Sequence, residues 1–144
     1  MTTPLIPAWV SSELNQADAA EVIALASACL TDDPDITVTR PATVGVVVTQ
    51  VREPIAEERF ILGDTMVCRA EVTRRGSPGW AMRLGGDKMA ALAAAILAAE
   101  YTSDGPRAGE VGDLCTRSAE QRRAGRAREW ERLAPSIVEF EEIP

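Results

Sequence analysis

The spacing of apolar residues changes twice along the chain, dividing it into a helical, a stranded and a second helical zone. Pro7 opens a short helix bearing Trp9, Val10 and Leu14, and Asp18 with Glu21 has the form of a capping box for a second helix. In that second helix Val22, Leu25, Ala26 and Cys29 return at three- and four-residue intervals and make one apolar stripe. Asp32-Asp33-Pro34 ends it, because proline cannot continue the hydrogen-bond ladder and restricts the residue before it. The N-terminal part thus reads as a helical hairpin.

From Ile36 the chain becomes rich in β-branched residues and turn chemistry. Residues 36–40 and 44–52 predict two strands parted by Pro41-Ala42, and a longer strand runs from about Arg59 to Arg74 with Gly63-Asp64 as a bulge or bend. A further strand carries Trp80, Met82 and Leu84 on one face, read as core-facing, and Gly76-Ser77-Pro78-Gly79 joins it to its predecessor as an antiparallel hairpin. Asp87 then caps a helix with the stripe Met89, Leu92, Ala93, Ile96 and Leu97. Tyr101 to Gly112 reads as a polar linker, and a last helix from about Asp113 to Leu133 places Ala119, Ala127, Trp130 and Leu133 near one side. After Pro135 a short extended tail carries Ile137, Val138 and Phe140. The expected fold is α+β, a single domain over residues 1–144: the helical hairpin, a small antiparallel meander, and two further helices covering it.

Composition narrows the chemistry. A chain of 144 residues needs no metal or disulfide to fold. Its net charge of −7 argues against general affinity for nucleic acid or anionic membranes, so any anion binding is local. Neither a secretory signal pattern nor an apolar run of membrane-spanning length is apparent, and a cytoplasmic protein is expected. Histidine is absent, which removes a Ser-His-Asp triad, a Cys-His pair and any histidine-metal site made by this chain alone. Cys29, Cys68 and Cys115 are too widely separated for a metal-ligand or redox pair, and Cys68 lies among apolar strand residues as a small hydrophobe. No catalytic residue and no metal site is assigned.

Several residues remain as candidates for binding. Arg40, Arg52, Arg59, Arg69 and Arg83 converge on one side of the sheet if the strand register brings them together, where they serve either an anion or a partner, or else form a solvated face. Gly85-Gly86-Asp87-Lys88 stands at a strand-to-helix junction, where backbone amides and Lys88 suit a phosphate oxygen, but Asp87 is itself a helix cap and competes for those amides. Asp64 after Gly63 reads as a turn residue rather than a general acid or base. From Arg117 onward the last helix sets six arginines against three glutamates, and Arg122, Arg126 and Trp130 mark it as a partner surface.

The ordered series Trp9, Arg40, Gly45, Arg52, the Arg59 to Asp64 block including Phe60 and Gly63, Gly79-Trp80, the Gly85 to Lys88 block and Val138-Glu139-Phe140 resembles the PhnG family. Thr43, Gly86 and Glu53-Pro54-Ile55 depart from that pattern. The resemblance implies a small subunit of the bacterial carbon-phosphorus lyase core complex, with PhnI, PhnH and PhnJ as partners. With PhnI, PhnH and PhnL, such a subunit takes part in displacing adenine from ATP by an alkylphosphonate, giving ribose 1-phosphonate 5-triphosphate. ATP and alkylphosphonate are then substrates of the assembly, and this chain alone binds no cofactor. The competing expectation is a stand-alone homo-oligomer that binds a small anion on its arginine-bearing sheet.

Overall fold

The computed structural model describes residues 5–138. Helices α1 (Ala8–Gln16) and α2 (Ala19–Asp32) form the N-terminal hairpin, strands β1 (Thr37–Arg52), β2 (Arg59–Arg74) and β3 (Ser77–Leu84) follow, and helices α3 (Lys88–Thr102) and α4 (Ala108–Leu133) complete the fold before a short 3-10 turn, Ala134–Ser136. The sheet is an antiparallel meander in the order β1-β2-β3. This is the α+β class expected from the residue pattern.

Local chemistry sets most boundaries. Pro7 precedes the first helical residue, and the Asp18 carboxylate accepts the Glu21 amide at 3.1 Å, starting α2 as a capping box does. Asp87 caps α3 in the same way, accepting the Ala90 amide at 2.9 Å. The β2–β3 turn is two residues long: Arg75 (φ 51°) and Gly76 (φ 73°) are both left-handed, the form that matches strand twist. It lies N-terminal to the expected Gly76–Gly79 turn, so Ser77 and Pro78 already belong to β3.

Four expectations are corrected. The strands over 36–40 and 44–52 are one strand, because Pro41 sits on an edge where a missing amide is tolerated, and only register shifts around Arg40 to Thr43 mark it. Tyr101 to Gly112 is no linker: α3 runs to Thr102 and α4 starts at Ala108, with Val111 already buried. A 3-10 turn at Ala134–Ser136 replaces the start of the extended tail; Ile137 and Val138 lie exposed beyond it, and Phe140 falls outside the described residues. Of the two later helices only α3 lies along the sheet, whereas α4 packs on α1 and α3.

The core explains that arrangement. Cys68, Ala70 and Val72 of β2 and Gly79 and Ala81 of β3 face α3, which is alanine at seven of its 15 positions and is buried from Ala93 to Glu100 without interruption. Small residues on both surfaces let helix and sheet approach closely. A Cβ at Gly79 would stand 2.6 Å from the Ala99 nitrogen, so the close approach requires glycine there. The expected five-residue stripe on α3 was too narrow, since alanines complete its circumference, while Met89 is exposed.

One buried ion pair ties the ends of these elements together. Arg74 Nε donates to Glu100 Oε2 at 2.8 Å, and its two terminal nitrogens reach the carbonyls of Cys29, Asp33 and Asp35. Arg74 therefore satisfies the C-terminal end of α2 while Glu100 Oε1 accepts the Arg107 amide at 3.0 Å ahead of α4. A side chain at Gly105 would overlap that carboxylate.

Candidate functional site

The sheet has a helix-covered face and an open one. Val67, Arg69, Glu71 and Thr73 of β2 point to the open face, opposite Gly45 and Thr43 of β1 and beside Leu84, Met82, Trp80 and Pro78 of β3. The Trp80, Met82 and Leu84 stripe is thus not core, because the small residues alternating with it are those α3 packs against. Arg40 Nε stands 3.1 Å from Glu71 Oε1, Arg69 pairs with the same oxygen, and the Arg69 guanidinium carbon lies 6.0 Å from the Trp80 ring centroid. Both guanidiniums hold that oxygen by charge rather than by a well-directed hydrogen bond. A shallow hollow of about 400 Å3 adjoins the cluster, lined by Thr39, Thr73, Pro78 and Trp80.

The five sheet arginines do not converge. Arg83 lies directly opposite Cys68, hence on the helix-covered face, where it donates to the carbonyls of Leu14 and Ala17 and closes the end of α1. Burial lowers its pKa. Arg52 and Arg59 face each other at the far end of β1–β2, with Arg52 3.8 Å from Glu57. Only Arg40 and Arg69 share a place. Lys88 is exposed at the start of α3, where the Asp87 carboxylate occupies the Ala90 amide that a phosphate would need. Gly85 (φ 90°) turns the chain into that helix and donates to the Met66 carbonyl at 2.9 Å.

None of the cysteines has the setting of a nucleophile. Burial pushes the Cys29 and Cys115 thiols up to about 11 and raises that of Cys68 as well, with Lys88 opposing the last. No group of three metal-ligating side chains converges among the described residues.

What the structure does present is an arm. β3 pairs only with the Val67–Arg74 part of β2, so Val46–Arg52 and Arg59–Met66 run on as a two-stranded ribbon roughly 25 Å long, closed by the Glu53 to Glu58 loop. Asp64 stands in this ribbon opposite Val48 rather than in a turn, and a register shift between Thr49 and Gln50 makes the predicted bulge next to Gly63 (φ 154°). Val46 (67 % exposed), Val48 (61 %), Ile61 (67 %) and Leu62 (67 %) project into water, with Phe60 and Met66 about half exposed. Val46 and Val48 share the face of Cys68, and Val47 occupies the other. The residues Thr43 to Val51 carry no charge and place valine on both parities, a signal that sequence reading took only as strand.

The second projection is the end of α4. Val111, Leu114, Cys115 and Ser118 are buried, after which the helix leaves the body of the protein and Trp130 is 63 % exposed. Arg122 is not a rim residue: it forms a fork on the Glu13 carboxylate of α1, with Nη2 to Oε1 at 2.7 Å, and that hydrogen bond holds the Glu13 pKa below the usual carboxylate range. Arg126 lies exposed beyond it. The Glu13–Arg122 latch and the Arg74–Glu100 pair were missed, since partners 109 and 26 residues apart leave no local pattern.

Taken together, these features define a small α+β protein that exposes an apolar two-stranded arm and the end of a long helix. Residues 8–143 match the family described as "Phosphonate metabolism protein PhnG", and the chain belongs to that family. No curated protein matches it. Among the described residues no helix is long and apolar enough to cross a membrane.

Proposed function

We propose that this chain is a cytoplasmic assembly subunit of the carbon-phosphorus lyase core complex, acting with PhnI, PhnH and PhnJ. In the synthase step, together with PhnL, it supports the substrate site at which an alkylphosphonate displaces adenine from ATP. The observation that carries this reading is the apolar arm, whose exposed residues only a partner would bury, on a protein whose family belongs to phosphonate metabolism. The reactive side chains fit a supporting role, since the thiols are buried and shifted away from the thiolate. The alternative, a homo-oligomer binding a small anion on its sheet, loses its main support because Arg83 closes α1 and Arg40 and Arg69 already share Glu71. Co-expression with tagged PhnI, PhnH and PhnJ tests the proposal. The chain should co-purify in fixed stoichiometry, and its absence from every such preparation would refute the reading.

A further inference from the structure

We infer that the β1–β2 arm inserts into an apolar cleft of a different protein chain, a cleft that encloses both faces of the ribbon. The inference rests on the functional reading above and specifies how the subunit is held. Three observations lead to it.

The first is area. Val46, Val47, Val48, Phe60, Ile61, Leu62 and Met66 of the arm, with Val44 at its base, together expose on the order of 800 Å2 of mostly apolar surface over its two faces, about what one partner contributes to a stable interface.

The second is that this surface has two sides. Val44, Val46, Val48 and Met66 lie on the side of Cys68, while Val47 alternates with them, and the three consecutive apolar residues Phe60, Ile61 and Leu62 cannot share one face. A second copy pairing edge to edge would leave both faces in water, and a copy stacked on the ribbon would cover one. A cleft covers both.

The third is the distribution of charge and of open backbone. The uncharged stretch ends in Arg40 and Arg69 at its base and in Arg52, Glu53, Glu57, Glu58 and Arg59 at its tip, so the cleft is apolar along its length and polar at both ends. Asp64 is the exception, exposed within the arm and without an ion-pair or hydrogen-bond partner among the described residues, which places a cation or amide donor on the facing wall. β1 is an edge strand throughout, and β2 has no second neighbour before Val67. A two-stranded ribbon with such edges is marginal in water, and its edges invite strand addition.

The test uses the full chain co-expressed with tagged PhnI, PhnH and PhnJ. Val46→Lys and Val47→Lys place one charge on either face at positions exposed in the free chain, so both variants should melt as the wild type does. Each should weaken co-purification at least tenfold, and amide exchange over residues 44–51 and 60–66 should slow at least tenfold when the wild-type chain enters the complex. Weakening by only one substitution would mean that one face is covered and would overturn the cleft. So would a tight dimer of the isolated chain that both variants disrupt. Full affinity of both variants overturns the arm and leaves the assembly reading standing, whereas failure of the wild-type chain to capture any subunit refutes both.

Discussion

Gly79 shows how a single position sets the closeness of the whole core. Its missing side chain admits the backbone of α3 at Ala95 and Ala99, while the surroundings of Gly45 are empty out to 4 Å. Gly79→Ala should therefore destabilise the fold by about 2 kcal/mol or more through overpacking, and Gly45→Ala should change stability little, as read by thermal or denaturant unfolding. The Glu13–Arg122 pair makes a prediction in pH. The folded pKa of Glu13 is lowered, first by its hydrogen bond from Arg122, so the pair's contribution is full above the ordinary carboxylate value of 4.5 and is lost as pH falls through the depressed one. Asp32 and Asp33 are shifted the same way, Asp32 mainly by Arg107 and Asp33 by the Asp35 amide and then Arg75, so they share the acid limb. Glu13→Gln should lower the melting temperature at pH 7 and make it fall less steeply below pH 4.5. A parallel decline in both proteins would show that the pair contributes nothing.

At the scale of elements, what could be read from the residues was what neighbours in sequence decide. Asp18, Asp87 and Pro34 set helix ends by contacts within a few residues, and β2 ran from Arg59 to Arg74 as its alternation required. Faces were harder to read. Trp80 looked like core and Arg83 like surface, yet α3 selected the small Gly79 and Ala81 side of β3, leaving Trp80 in the open and Arg83 against the end of α1. The arginines illustrate the same limit at the candidate site, since their grouping depends on a register that Pro41 and the irregularity at Arg40 disturb. For α4 the structure changes how the partner surface is best probed. Arg122 is committed to Glu13, so Trp130→Ala against Arg126→Ala is the cleaner comparison, both being exposed on the projecting part. If that part is an interface, an anchoring tryptophan is worth about 2 kcal/mol or more, roughly a thirtyfold change in affinity, while an exposed arginine is worth far less. Co-purification with the tagged partner should weaken accordingly for Trp130→Ala, and equal retention of both variants would exclude this helix as an anchor.

The whole molecule divides into a compact body and two projections, and that division governs where chemistry can occur. In the body the cysteines are buried with raised pKa values, and the buried cation Arg74 is fully engaged with Glu100 and three carbonyls. On the open sheet face Arg40 and Arg69 share Glu71, and at the start of α3 Asp87 occupies an amide that a triphosphate would seek. Adenine displacement needs the phosphonate oxygen oriented against the ribose carbon and electrostatic support for the leaving base. The isolated chain should therefore release no adenine from ATP and methylphosphonate above the uncatalysed background, measured by chromatography of the free base. Adding it to PhnI, PhnH and PhnL should restore release that the three lack without it, and a Val46→Lys chain should restore less at equal concentration but approach the wild-type rate when in excess. That recovery shows that the arm acts through occupancy of the complex, because a defect at the reacting centre would persist at saturation. Robust release by the chain alone would overturn the supporting role.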